Sequence, residues 1–221
     1  SLAWHESGRE LGLSLSSARA PSDLYSVDFD KQRVKRWTES ETGGLNTAAF
    51  AEAEVVRWKS FDGRTISGLL FKPPARFTGP RPVIVNIHGG PEGQSRPGFQ
   101  GRSNYYLDEL GVAVLYPNVR GSTGFGKEFL NAGDLQWGRK MHDDLLDAVA
   151  WAKAQGVAKP EQVAIMGGSY GGYATLAGLT MTPTEFACGV DIVGPSNLIT
   201  LLESIPPYWV SFRQQFYTRM G

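Results

Sequence analysis

Residues 163–179 read Val163-Ala164-Ile165-Met166-Gly167-Gly168-Ser169-Tyr170-Gly171-Gly172-Tyr173-Ala174-Thr175-Leu176-Ala177-Gly178-Leu179. The first four residues are a short apolar run of the kind found in strands buried on both faces. From Gly172 to Leu179 the residues are small and helix-compatible, so the stretch reads as strand, sharp turn, helix. The turn carries Gly-x-Ser-x-Gly at Gly167, Ser169 and Gly171. In a chain with 27 glycines that string is weak by itself, and its place between a buried strand and a helix gives it weight. A serine on so tight a turn takes an unfavourable backbone conformation, and glycines two residues to either side remove side chains that would collide with it. The turn lifts the hydroxyl above the C-terminal edge of the sheet, at the N-terminus of the next helix, where developing negative charge is stabilised. Ser169 is the candidate nucleophile; the plainer reading is a Gly-rich turn holding an incidental serine.

Working outward, the same alternation repeats. Val83 to Ile87 and Val112 to Tyr116 read as buried strands, with a helix around Ser103 to Leu110 between them. A helix is expected from about Gly138 to Gln155, with Met141, Leu145, Val149 and Ala152 on one face and Lys140, Asp143, Asp144 and Asp147 off it. Val190 to Val193 is a further strand. Ahead of these lies a hairpin, Val55 to Ser60 and Thr65 to Phe71, joined through Asp62-Gly63. Strands alternating with helices imply right-handed crossovers and a largely parallel sheet, so residues 53–221 read as an α/β domain. Residues 1–52 differ. Four short strands, at 1–5, 10–18, 23–29 and 33–38, are set apart by turn residues, and a connector with Gly43-Gly44 at its middle follows. So few strands bury little core alone and look like one sheet of a repeated all-β architecture, such as one blade of a propeller.

Composition excludes several classes. Lys and Arg number 22 and so do Asp and Glu, leaving no basic excess for nucleic acid. No apolar run approaches the roughly 20 residues of a membrane-spanning helix. The single cysteine, Cys188, forms no internal disulfide and reads as a small buried residue.

The strand ending at Ile87 runs into His88-Gly89-Gly90-Pro91, which resembles the oxyanion loop after the third strand of α/β-hydrolases. Small residues there let backbone N–H groups approach a carbonyl oxygen. The expected oxyanion hole uses the N–H of Tyr170 and that of Gly90. His88 reads as structural, its ring fixing the loop through backbone hydrogen bonds, because in this fold the general base follows the nucleophile in sequence. His142-Asp143-Asp144 reads as a helix start rather than a relay, since neighbouring helical positions point apart. His5 and the basic stretch Lys31 to Arg36 read as solvated. Pro206-Pro207-Tyr208-Trp209 reads either as pocket lining or as an aromatic-proline packing corner.

Taken together, Gly167-Gly168-Ser169-Tyr170-Gly171-Gly172, the His-Gly-Gly-Pro loop and Asn118-Val119-Arg120-Gly121-Ser122-Thr123-Gly124-Phe125-Gly126 resemble the prolyl oligopeptidase family of serine peptidases, within it the acylaminoacyl-peptidase and dipeptidyl-aminopeptidase branch. Val55 to Pro73 is similar to the hairpin that opens the catalytic domain there, and Ala20 to Tyr25 to the last blade of the family's propeller. The resemblance implies an α/β-hydrolase domain, here its N-terminal part over 53–221, preceded by the last propeller blade and connector over 1–52. It implies a propeller that admits only short peptides, an acyl-enzyme on the serine, a Ser-Asp-His triad, and no metal or organic cofactor. Only the serine maps, onto Ser169. The chain's histidines, His5, His88 and His142, all precede it, and Asp191 comes earlier than the family's acid. The expectation is therefore an internal fragment whose catalytic Asp and His lie beyond residue 221, inactive alone. An esterase or lipase of the same fold and a non-catalytic binding protein on the same scaffold are the alternatives.

Overall fold

The computed structural model describes residues 1–220. They form two sheets. The first is an antiparallel meander of β1 (Leu2–Trp4), β2 (Glu10–Ser17), β3 (Ala20–Asp28) and β4 (Arg33–Arg36), ordered as in the chain. Strand β3 begins at Ala20, three residues ahead of the expected start at 23. Ser17 pairs with Ala20, so the reversal falls on Ala18-Arg19. Pro21 is tolerated because it lies beside a bulge in β2 and outside the Tyr25–Asp28 stretch that β4 pairs. One buried carboxylate ties the end of this sheet together. Burial alone would raise the pKa of Asp23, but Arg36, Thr38 and Ser40 all donate to it and hold it down to about 2.

The second sheet has six strands, β5 (Glu54–Lys59), β6 (Thr65–Phe71), β7 (Arg81–Ile87), β8 (Ala113–Asn118), β9 (Ala158–Gly168) and β10 (Cys188–Ile192), in the order β10-β9-β7-β8-β6-β5. The four strands β10, β9, β7 and β8 run parallel, and the β5–β6 hairpin adds antiparallel strands at one edge. Six helices accompany them: α1 (Ser103–Asp108), α2 (Lys127–Asn131), α3 (Lys140–Ala154), α4 (Tyr170–Met181), α5 (Leu198–Glu203) and α6 (Arg213–Met220). Alternate residues of β7 divide between the faces. Val83, Val85 and Ile87 join Leu145, Ala148 and Val149 of α3 and Ala174 of α4, while Ile84 packs against the cluster that holds Leu107 of α1. Both faces are thus covered, which explains why these strands read as continuous apolar runs.

Three sequence expectations change. Strand β9 starts five residues early, because Ala158 pairs with Arg81 and carries the exposed polar run 159–162 into the ladder. Cys188 is exposed, not buried, since it opens β10 at the edge of the sheet. Asp144 is fully buried although its position in the helix pattern put it off the apolar face. The cause is Arg120, itself 2% exposed. The Arg120 Nε and Nη2 donate to Asp144 Oδ2 and Oδ1 at 2.9 and 2.7 Å, and its backbone N–H adds a third bond. Its other edge donates to Asp62 at 2.8 and 3.1 Å. The Ser60 Oγ lies 2.6 Å from Asp144 Oδ1 and 2.9 Å from Asp147 Oδ2, its one hydrogen shared between the two carboxylates. One cation thereby binds α3, the β5–β6 turn and the loop after β8. Helices α2, α5 and α6 went unread because each is short with no clear apolar period. Among them, α5 starts on Asn197, whose side chain accepts the N–H groups of Ile199 and Thr200.

Removing one member of such a cluster leaves an uncompensated buried charge. Arg120→Met is expected to lower unfolding stability by about 3–5 kcal/mol in chemical denaturation. The buried His142 predicts a pH effect. Its Nε2 faces the Thr182 hydroxyl at 3.1 Å, its Nδ1 is buried without a partner, and burial lowers its pKa from the ordinary 6.5. The unfolded chain therefore takes up the proton first as pH falls. Stability is complete above about pH 6.5 and declines below it. Thermal melts from pH 7.5 to 5 are expected to show a falling Tm, with a shallower fall in His142→Gln.

Candidate active site

Strands β7 and β9 are parallel neighbours, so their C-terminal ends open on the same edge of the sheet. Their register sets Asn86 opposite Met166 and Ile87 opposite Gly167. The residues that follow, His88-Gly89-Gly90 on one strand and Gly168-Ser169 on the other, therefore meet. A Cβ on Gly89 would lie 3.4 Å from the Ser169 Cβ and 3.9 Å from its Oγ.

Ser169 stands at φ 56°, ψ −119°, in the left-handed region that a residue with a side chain rarely occupies. Two bonds hold it there: its N–H donates to Ile192 O at 3.0 Å, and its carbonyl accepts the Tyr173 N–H at 3.0 Å. Glycine is required on both sides, for reasons finer than a clash with the serine itself. A Cβ on Gly167 would fall 2.5 Å from the carbonyl carbon of Gly171, and one on Gly171 would fall 2.1 Å from Ile87 O. The helix start is pressed onto both flanking strands. The hydroxyl is left exposed above the first turn of α4, where the N–H groups of a helix have no intrahelical acceptor. That of Tyr170 is the first of them. The Tyr170 ring points the other way, fully buried and 4.7 Å edge-on to Trp137, with its hydroxyl 3.7 Å from Met141 Sδ. Burial pushes that phenol's pKa far above its usual value.

The facing loop is held as firmly. Gly90 has φ 122°, and a Cβ there would sit 2.4 Å from the Glu92 nitrogen. The His88 Nδ1 lies 2.8 Å from Gly89 O and its Nε2 lies 3.0 Å from Ser122 Oγ. Burial lowers the pKa of the ring, the bond to Gly89 acting the other way. The loop after β8 supports it from the side: the Thr123 N–H donates to Gly93 O at 2.8 Å, and Asn118 exchanges bonds with the backbone of Ser95 at 2.7 and 3.2 Å.

Beside Gly90 opens a cavity of about 180 Å³ walled by Trp137, Phe212, Phe216 and the Glu92–Arg219 ion pair. Phe212 and Phe216 were not singled out from the sequence. Of the stretch that was, Tyr208 and Trp209 are both exposed, Trp209 tilts onto Phe216, and neither lines this cavity.

None of the three histidines is directed at Ser169. His5 bonds Ser7, His88 bonds Gly89 and Ser122, and His142 bonds Thr182. Asp191 accepts the Gly194 N–H at 2.8 Å, closing the turn after β10. Among the described residues no group of His, Cys, Asp and Glu is arranged to hold a metal ion, and no helix is long and apolar enough to cross a membrane.

Known proteins are similar to this chain in sequence and fold. The family model described as the prolyl oligopeptidase family matches residues 97–216. Dipeptidyl aminopeptidase BIII of Pseudoxanthomonas mexicana is 62% identical over 173 residues, covering 75% of this chain and 25% of that protein. Dipeptidyl peptidase family member 6 of Caenorhabditis elegans is 56% identical over 142 residues, 64% of this chain and 19% of that one. Among solved structures, a puromycin-hydrolyzing peptidase of Mycobacterium tuberculosis superposes with TM-score 0.86 at 26% identity, over 97% of this chain and 33% of its own. An acylaminoacyl peptidase bound to Z-Gly-Gly-Phe-chloromethyl ketone gives TM-score 0.80 at 26% identity, over 100% of this chain and 34% of its own. The chain spans about a quarter of the length of the curated relatives it matches. With the match to the family model extending over more than half of its residues, the chain belongs to the prolyl oligopeptidase family.

Proposed function

We propose that the whole protein is a serine peptidase that cleaves short peptides through an acyl-enzyme on Ser169. The observation that carries this reading is the strained, exposed serine at the head of α4, set against a glycine loop that offers backbone N–H groups. In this reading the Ser169 Oγ attacks the scissile carbonyl carbon and its proton passes to a histidine. The oxyanion accepts the N–H groups of Tyr170 and Gly90. Collapse breaks the C–N bond, the histidine returns the proton to the departing amine, and water then releases the acyl group by the same steps.

The histidine and its aspartate come from outside these 221 residues. Two facts support this: all three histidines present are bonded elsewhere, and the chain spans about a quarter of its relatives. Residues 1–52 serve as the last propeller blade with its connector, and residues 53–221 as the N-terminal part of the α/β-hydrolase domain. Support comes from the separate antiparallel and mixed sheets and from superposition with peptidases over nearly the whole chain. The names of the relatives, dipeptidyl aminopeptidase and acylaminoacyl peptidase among them, favour peptides over simple esters as substrates.

Two experiments on the whole protein test this. A fluorophosphonate probe is expected to label Ser169 alone, and Ser169→Ala to lower peptide turnover at least about 10³-fold with the fold retained. Labelling of another residue, or undiminished turnover by Ser169→Ala, would sink the assignment. Gly171→Ala is expected to abolish labelling with Ser169 still present, because the added methyl would displace the turn from Ile87.

A further inference from the structure

We propose that Glu92 is a specificity-determining residue, giving the cavity beside Gly90 a preference for a lysine or arginine side chain of the substrate. This rests on the peptidase reading of Ser169 and Gly90 and deepens it. The cavity, about 180 Å³, is lined by Gly90 itself, and its wall Trp137 packs edge-on against the ring of Tyr170 at 4.7 Å. It therefore lies against one proposed oxyanion residue and one packing layer from the other. A carbonyl oxygen held by those two residues belongs to the substrate residue that acylates Ser169. The side chain of that residue branches from the adjacent carbon and has this cavity beside it.

Two kinds of surface line it. Trp137, Phe212 and Phe216 are aromatic, suited to the methylene stem of a long side chain, and ring faces attract a cation. The charged groups are Glu92 and Arg219, and their surroundings do not balance. Arg219 Nη1 donates to Asp134 Oδ1 at 2.8 Å, while its Nε lies 3.1 Å from Glu92 Oε1. One guanidinium thus serves two carboxylates and leaves one negative charge over. The same stretch holds Arg219 from the backbone, its carbonyl accepting the Leu135 N–H. Among the described residues no group makes an aligned hydrogen bond to the Glu92 carboxylate, although that side chain is only 24% exposed. A carboxylate so placed recovers its desolvation when an ammonium or guanidinium enters. An anionic side chain would find Arg219 already engaged by two acids. A substrate α-ammonium would meet the carboxylate and leave the aromatic walls bare. A long basic side chain uses both surfaces.

The test uses the whole protein and chromogenic peptides that differ only in the residue before the cleaved bond. That residue is lysine, norleucine, which keeps the stem without the ammonium, or Nε-acetyl-lysine, which keeps the length without the charge. The lysine peptide is expected to exceed both others in kcat/KM by about 10-fold or more. Glu92→Gln is expected to lower the lysine-to-norleucine ratio about 10- to 100-fold. A ratio is read so that a general loss of activity cancels. A wild type that favours norleucine, or a ratio that Glu92→Gln leaves unchanged, overturns the proposal. So does a Glu92 effect that vanishes when the peptides are acetylated at their N-terminus, since the carboxylate would then be reading the α-ammonium. Should Glu92→Gln fail to fold, the three peptides on the wild type decide. Binding is measured apart from turnover with n-pentylammonium against pentan-1-ol, followed at the indole N–H resonance of Trp137. The ammonium should bind at least about 10-fold more tightly, and equal affinities overturn the proposal. A protein that binds the ammonium in this way and cleaves no peptide counts against the peptidase reading alone.

Discussion

The first turn of α4 touches strand β7 with no side chain between them. A methyl group on Gly171 would overlap the Ile87 carbonyl, and that one close approach fixes where everything else can stand. It sets the depth at which the helix meets the sheet. It forces the residue between strand and helix into a left-handed conformation, and it puts that residue beside the loop leaving β7. The strain at Ser169 is therefore a consequence of packing. It persists because bonds to Ile192 and Tyr173, and the burial of Tyr170 behind it, over-determine the backbone.

The second organising feature is the ion cluster around Arg120. Long buried side chains are costly to order and desolvate, and a guanidinium held by two carboxylates and a serine recovers this only through well-aligned bonds. What it provides is registration. The helix α3, the hairpin turn at Asp62 and the loop after β8 come from segments far apart in sequence, and one planar group sets their mutual distances. That loop in turn braces the one carrying Gly90, so the geometry facing Ser169 is set from two directions.

Much of this was legible before any coordinates. The strand-turn-helix around Ser169 and the glycine loop after Ile87 are local patterns in which residue types follow directly from backbone needs, and both were readable. The hairpin through Asp62-Gly63 was equally local. What escaped was long-range. Asp144 was placed off the apolar face because helix periodicity knows nothing of Arg120, 24 positions earlier. Cys188 looked buried because its residue type usually is, while the sheet order that puts it at an edge is a tertiary fact. The Phe212 and Phe216 wall depends on how α6 and the 3-10 turn before it fold back, and no apolar period announced either. His88 was expected to hold its loop through backbone hydrogen bonds, and its Nδ1 does face Gly89 O; the Ser122 hydroxyl at its Nε2, 34 positions away, could not be named from spacing.

The crowding around the Ser169 turn also bears on how such a protein could be altered. Gly167, Gly171 and Gly172 each lack room for even one additional carbon, so inherited or engineered change has almost no accessible route there. The neighbouring walls are different. Arg96, Phe212 and Phe216 are side chains lining open cavities. Under the proposed peptidase function, a library meant to change selectivity would therefore leave the turn untouched and diversify those walls.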